Sequence, residues 1–187
     1  MEGLSREIIE EFCKLCNWTY EAWFTRRKLF DDNPKVNKLM DSQSRDFFVR
    51  LSEITLDYAF LQVMKLHDPS VIGKDINLTI EYIVEYGAWD QQTRIELNKL
   101  VSKLNELKEQ IKPARNKIIC HNDLKTILRN KSLGEFKNNG DMEYFETLQE
   151  FVNIVNGDVY PFNDLAKADV EIFLNYFLRG LNNQEKI

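Results

Sequence analysis

Residues 100–121 read LVSKLNELKEQIKPARNKIICH, and Leu100, Leu104, Leu107, Ile111, Ala114, Ile118 and His121 recur in them at alternating steps of four and three. An α-helix turns once in 3.6 residues, so these steps stack one side chain above the next on a single face. The stretch therefore predicts a helix with a packing seam. Its last seam position holds a histidine where an apolar residue is expected. Pro113 lies inside the run and predicts a kink that need not end the helix. Asn122-Asp123 is a natural stop.

The same period runs outward on both sides. Leu4, Ile8, Phe12, Leu15, Thr19, Ala22 and Leu29 predict a first helix over 4–30, closed by Asp31-Asp32-Asn33-Pro34. A second helix is predicted over about 34–66. Val36, Met40, Phe47, Leu51, Ile54, Tyr58 and Leu61 form its inner stripe, and Phe48, Phe60 and Val63 widen it. His67-Asp68-Pro69 ends that helix, and a loop through Gly73 follows. Asn77 is a fair N-cap for a short third helix ending near Gly87, with Leu78, Tyr82 and Ile83 inward. Beyond a loop over 130–141 come helices near 142–156 and 166–181. Their stripes are Tyr144/Leu148/Phe151/Val155 and Val170/Leu174/Phe177/Leu181. The expected fold is all-α, an antiparallel up-and-down bundle of about six helices.

Composition agrees. The chain has 187 residues, enough for one domain, and only 7 Gly and 4 Pro, which argues against a turn-rich β fold. It has no apolar run of membrane-spanning length, and an acidic, amphipathic N-terminus unlike a secretory signal. Three cysteines, Cys13, Cys16 and Cys120, read as reduced thiols, so a cytoplasmic setting is expected.

Charge is uneven. Residues 112–131 hold Lys112, Arg115, Lys117, Lys125, Arg129 and Lys131 against Asp123, a net +5 on a chain whose total is −5. A basic island of this kind suits a polyanion, although a solvated helix face would also carry it. His121 ends the seam inside that island. An imidazole trades protons near neutrality, and a guanidinium grips phosphate in a fork and stays charged. Arg115 and His121 together therefore suit metal-free RNA cleavage. In that reaction the ribose 2′-hydroxyl attacks phosphorus, a base and an acid move protons, and a cation holds the phosphoryl oxygens. On a straight helix the two side chains sit about 120° apart, so they flank one seam without stacking.

Arg115 to His121, with the polar Asn116 after the arginine, resembles the R-x4-6-H signature of HEPN domains. Residues 114–123, ARNKIICHND, resemble the abortive-infection, AbiU-type branch. The earlier His67-Asp68-Pro69, Gly73-Lys74 and Asn77-Leu78-Thr79 are also similar to it. Cys120 departs mildly from the Ala that this branch often has before the histidine. The resemblance implies a single HEPN-like helical domain over residues 1–187 and a homodimer whose Arg/His pairs meet in a basic cleft. It also implies metal-independent endoribonuclease activity in a toxin or phage-defence setting. RNA would be the substrate, with an antitoxin or other protein as a further partner and no cofactor. In that reading His121 is the acid/base, Arg115 the phosphate clamp and Asn116 a positioning group. Asp123 would orient the imidazole, and Lys112, Lys117 and Lys125 would track the RNA backbone. The competing expectation is a non-catalytic dimeric interaction module, with His121 a satisfied seam residue.

The remaining candidates are weaker. Cys13-x-x-Cys16 lies mid-helix without a second pair, so two partly core-facing residues outweigh a metal or redox site. His67 closes the second helix, and a capping or packing role, as a cation near carbonyls, is expected. Trp18, Trp23 and Trp89 are expected in the core or a dimer seam. No Glu-x-x-His, phosphate loop or nucleophile elbow occurs.

Overall fold

Two helices whose stripes were the clearest in the sequence pack along each other at the centre of the first half of the fold. A computed structural model describes residues 3–31, 33, 36, 45–114, 136, 139–163 and 165–184. In chain order its elements are α1 (Arg6–Arg26, continued by a π-helical turn Arg27–Asp31), α2 (Arg45–Lys65), β1 (Val71–Ile72), β2 (Asp75–Ile76) and α3 (Ile80–Tyr86). There follow α4 (Gln91–Glu109), the single turn α5 (Lys112–Ala114), α6 (Gly140–Asn156) and α7 (Leu165–Gln184). The fold is an all-α bundle with one two-stranded hairpin among the described residues. No described helix is long and apolar enough to cross a membrane. The chain divides into two compact units, Met1–Thr19 with Phe60–Phe162, and Tyr20–Ala59 with Asn163–Ile187.

In the first unit α4 packs on α6. Leu97, Leu104, Leu107 and Ile111 are buried, as are Tyr144, Leu148, Phe151 and Val155. The stripe read from α6 is thus its buried face. Phe12 of α1 meets Phe151 edge-on, with ring centroids 5.9 Å apart. Asp90 starts α4 by accepting the Thr93 N–H (2.9 Å) and the Thr93 hydroxyl (2.8 Å), well before the predicted onset at Leu100.

The α4 seam does not run on unbroken. The helix stops at Glu109, and Gln110 and Ile111 donate to Leu107 and Lys108, three residues back. Pro113 explains the break: it has no N–H for the Glu109 carbonyl, and its ring crowds that oxygen. The predicted kink is therefore a stop and a restart at Lys112.

α6 ends at Gly157, whose φ of 76° lies in the left-handed region. Glycine enters that region freely, and its N–H closes the helix on the Asn153 and Ile154 carbonyls. Gln149 then clamps the outgoing chain. Its Oε1 accepts the Phe162 N–H (2.8 Å), and its Nε2 donates to the Tyr160 carbonyl.

Between α2 and α3, where only a loop was expected, Val71 pairs with Ile76 and Ile72 with Asp75 across a turn at Gly73. Asn77 is not the N-cap of α3. Its N–H and side chain bond Ser70 O and Pro69 O, closing the hairpin base. Thr79 takes the cap, accepting the Tyr82 N–H.

The second unit has its own core of Leu29, Val36, Phe48, Val170 and Leu174, flanked by Phe30, Leu51, Phe177 and Leu178. Phe48 and Phe177 meet edge-on at 5.2 Å. Along α2, the predicted stripe residues Phe47, Ile54 and Tyr58 are exposed, while Phe48, Phe60 and Val63, expected only to widen it, are buried. The helix is apolar on both sides, so its period could not say which side meets the core. Met40 of that stripe lies outside the described residues. In α1, Leu15 is exposed, and Cys13 and Cys16 fill the interior with Phe12 and Thr19. Trp18, at 51% exposure, is not a core residue. Trp89 instead donates its Nε1–H to the Ile83 carbonyl at the end of α3 (2.9 Å).

Candidate functional site

The structure follows the chain up to the threshold of the predicted motif. Lys112, which opens α5, donates to both carboxylate oxygens of Glu109 (2.9 and 3.1 Å). Lys108 reaches the same carboxylate at 3.2 Å. The hydrogen bond from Lys112, then that from Lys108, holds the Glu109 carboxyl below its ordinary range. The basic island thus begins with a lysine shared with an acid. Arg115, Asn116, Lys117, Cys120, His121, Asp123 and Lys125 lie outside the described residues.

The other histidine is fully placed. His67 follows α2, with Nδ1 3.2 Å from Asn105 Oδ1 on α4 and Nε2 2.9 Å from the Tyr144 hydroxyl on α6. An amide oxygen only accepts, so Nδ1 carries the proton. Nε2 must then accept from Tyr144. Tyr144 is fully buried, and burial raises its phenol well above the ordinary range, so it remains a donor. Burial first, then the nearby Lys108 charge, pushes the His67 imidazole down to about 4. His67 is a neutral bridge between three elements, and the expected cation near helix carbonyls is corrected on that ground. With both nitrogens committed and its proton affinity this low, it is no acid or base at neutral pH.

His67 also forms part of the wall of an open pocket of about 560 Å³. α4 contributes Arg94, Asn98, Val101 and Asn105, one helical face at steps of four and three. α3 contributes Ile80, Glu81, Val84 and Glu85. Ser70 orients both acids, through its N–H to Glu81 (2.6 Å) and its hydroxyl to Glu85 (3.2 Å). The pocket offers acceptors on one wall, a guanidinium on the other and an apolar floor. It is a surface for binding rather than for proton transfer. The period of Arg94, Asn98 and Asn105 was visible in the sequence. Their convergence with His67 was not, because it depends on how α4 meets the α2–β1 turn.

Cys13 and Cys16 are both buried. Desolvation pushes the Cys13 thiol up to about 11 and the Cys16 thiol well above its ordinary range. Both stay protonated, which makes them poor metal ligands and poor nucleophiles. Among the described residues no cluster of His, Cys, Asp and Glu could hold a metal ion.

The family model HEPN_AbiU2, described as AbiU2, matches residues 2–174, a span that includes both the described bundle and the Arg115–His121 stretch. No curated protein and no solved structure matches the chain.

Proposed function

Since the chain belongs to the AbiU2 family of HEPN domains, which ties it to abortive infection, we propose that it is a metal-independent endoribonuclease of that setting. One observation carries the reading. The chain has two histidines, and His67 is locked neutral between Asn105 and Tyr144. Acid/base chemistry near neutrality therefore falls to His121, the histidine of the family-like motif.

The roles follow from the residue types. His121 takes the proton from the attacking ribose 2′-hydroxyl and returns one to the leaving 5′-oxygen. Serving in both roles needs either sequential protonation states or a second copy of the residue. A homodimer supplies the second His121, and a second Arg115 to share the charge on the phosphoryl oxygens. Asn116 positions the phosphate or the imidazole, and Asp123 orients the imidazole. Lys117 and Lys125 hold the RNA backbone, which makes binding fall steeply with salt. Lys112 contributes less than a free lysine, because Glu109 already holds it.

The test is cleavage of varied single- and double-stranded RNAs by the purified chain in EDTA, beside Arg115→Ala and His121→Ala. Cleavage by the parent and losses of at least about a hundredfold in both variants, with unchanged melting, are expected. A parent that cuts no RNA, or variants that cut equally well, would favour a non-catalytic dimeric module that binds a protein partner such as an antitoxin.

A further inference from the structure

α2 turns one polar side chain inward where its neighbours are apolar. Gln62 is 8% exposed, adjacent to Val63 and one turn before Leu66, both buried. Among the described residues its amide has no hydrogen-bond partner. A buried amide left unpaired is costly, and folded chains rarely keep one without a use. Gln62 lines a pocket of about 430 Å³ in the first unit, within the size range of small-molecule sites. Leu15, Leu66 and Leu78 give it apolar walls, and Lys65, exposed on α2, contributes to the lining. The two buried threonines of the pocket are already engaged. Thr19 donates to the Leu15 carbonyl, and Thr79 accepts the Tyr82 N–H. Gln62 is left to read a ligand.

We propose that this pocket binds an adenine base. A carboxamide shows one donor and one acceptor side by side. Adenine answers both at once, through its N6–H and a neighbouring ring nitrogen. Guanine does not, because its edges pair two acceptors (O6 and N7) or two donors (N1–H and N2–H). Pyrimidines offer a matching pair but fill less of the volume. The leucines cover the faces of the base, and the Lys65 ammonium suits an attached phosphate. No residue of the Arg115–His121 motif takes part, so the inference stands apart from the nuclease reading. The base can come from a free nucleotide or from RNA, since both present the same edge.

The experiment is calorimetric titration of the full chain with AMP, with GMP, and with a short 2′-O-methyl oligoadenylate that cannot be cleaved through its 2′-oxygen. One AMP site per chain is expected, with GMP at least tenfold weaker. Gln62→Leu lowers AMP affinity at least tenfold and leaves the melting temperature equal or higher, because it removes an unpaired amide from the interior. Gln62→Glu keeps the length but offers acceptors only, so preference turns from AMP to GMP, whose N1–H and N2–H match a carboxylate. Tighter binding of the oligonucleotide than of AMP assigns the site to RNA, and the reverse assigns it to a free nucleotide. Absence of binding by AMP and by the oligonucleotide at millimolar concentration overturns the proposal. So does equal binding of AMP and GMP, or AMP binding that neither variant changes.

Discussion

Acidification should loosen the first unit through His67 before most carboxylates protonate. The imidazole titrates at about 4 in the folded chain against an ordinary 6.5. Between those values the unfolded chain binds a proton that the folded chain refuses, so stability falls as pH falls. The gap of about 2.5 units is worth at most about 3 kcal/mol at 1.36 kcal/mol per unit. Integrating from about pH 7, the loss is roughly 1 kcal/mol by about pH 5.5 and roughly 2.5 kcal/mol by about pH 4.5. The groups facing His67 support this direction. Tyr144 and Asn105 occupy its two nitrogens, Lys108 disfavours a second cation, and Glu109 opposes that effect only weakly. The assay is urea unfolding at several pH values between 7 and 4.5, for the parent and for His67→Gln. Subtracting the variant removes the carboxylates common to both proteins. The parent should start more stable and lose its advantage across this window. Parallel pH profiles for the two would refute a neutral, sealed His67. A parent that gains on the variant as pH falls would show that His67 is a cation after all.

Two further substitutions probe the local geometry. Gly87→Ala places a Cβ onto the indole of Trp89. The overlap should break the Trp89 bond to Ile83 O and cost about 1–3 kcal/mol, seen as a lower melting temperature with a changed tryptophan spectrum. An unchanged melt would mean that the indole swings clear without loss. Gln149→Ala releases the Tyr160 carbonyl and the Phe162 N–H. It should cost about 2 kcal/mol for two hydrogen bonds, and amide exchange at Phe162 should quicken while exchange inside α6 barely changes.

The sequence was most legible where apolar residues occupy a single face. Tyr144, Leu148, Phe151 and Val155 left no second choice, and all four are buried. Along α2 the sequence allowed two faces. Phe47 and Phe48 are adjacent, only one can point inward, and the period alone does not choose. The hairpin escaped notice because two-residue strands are too short to show alternation. His67 was recognised as a packing residue, but its charge state depends on Asn105 and Tyr144, which lie 38 and 77 residues away. Gln62 sits in an apolar helix like any surface glutamine, and only burial distinguishes it. The Arg115–His121 motif, by contrast, is a matter of residue type and spacing and was readable without a fold.

The π-helical turn Arg27–Asp31 sets a rule for how this chain can change over time. A π turn holds one residue more than an α turn, so it carries what amounts to an insertion within a continuous helix. Upstream of it the helix buries Phe12 and Cys16, and within it Leu29 enters a separate core. Losing one residue there would restore ordinary helix bonding but swing Leu29 and Phe30 away from Val170 and Leu174. Gaps should therefore collect in the turns of a descendant and spare these five positions, even though residues such as Arg27 and Lys28 would otherwise pass for replaceable surface.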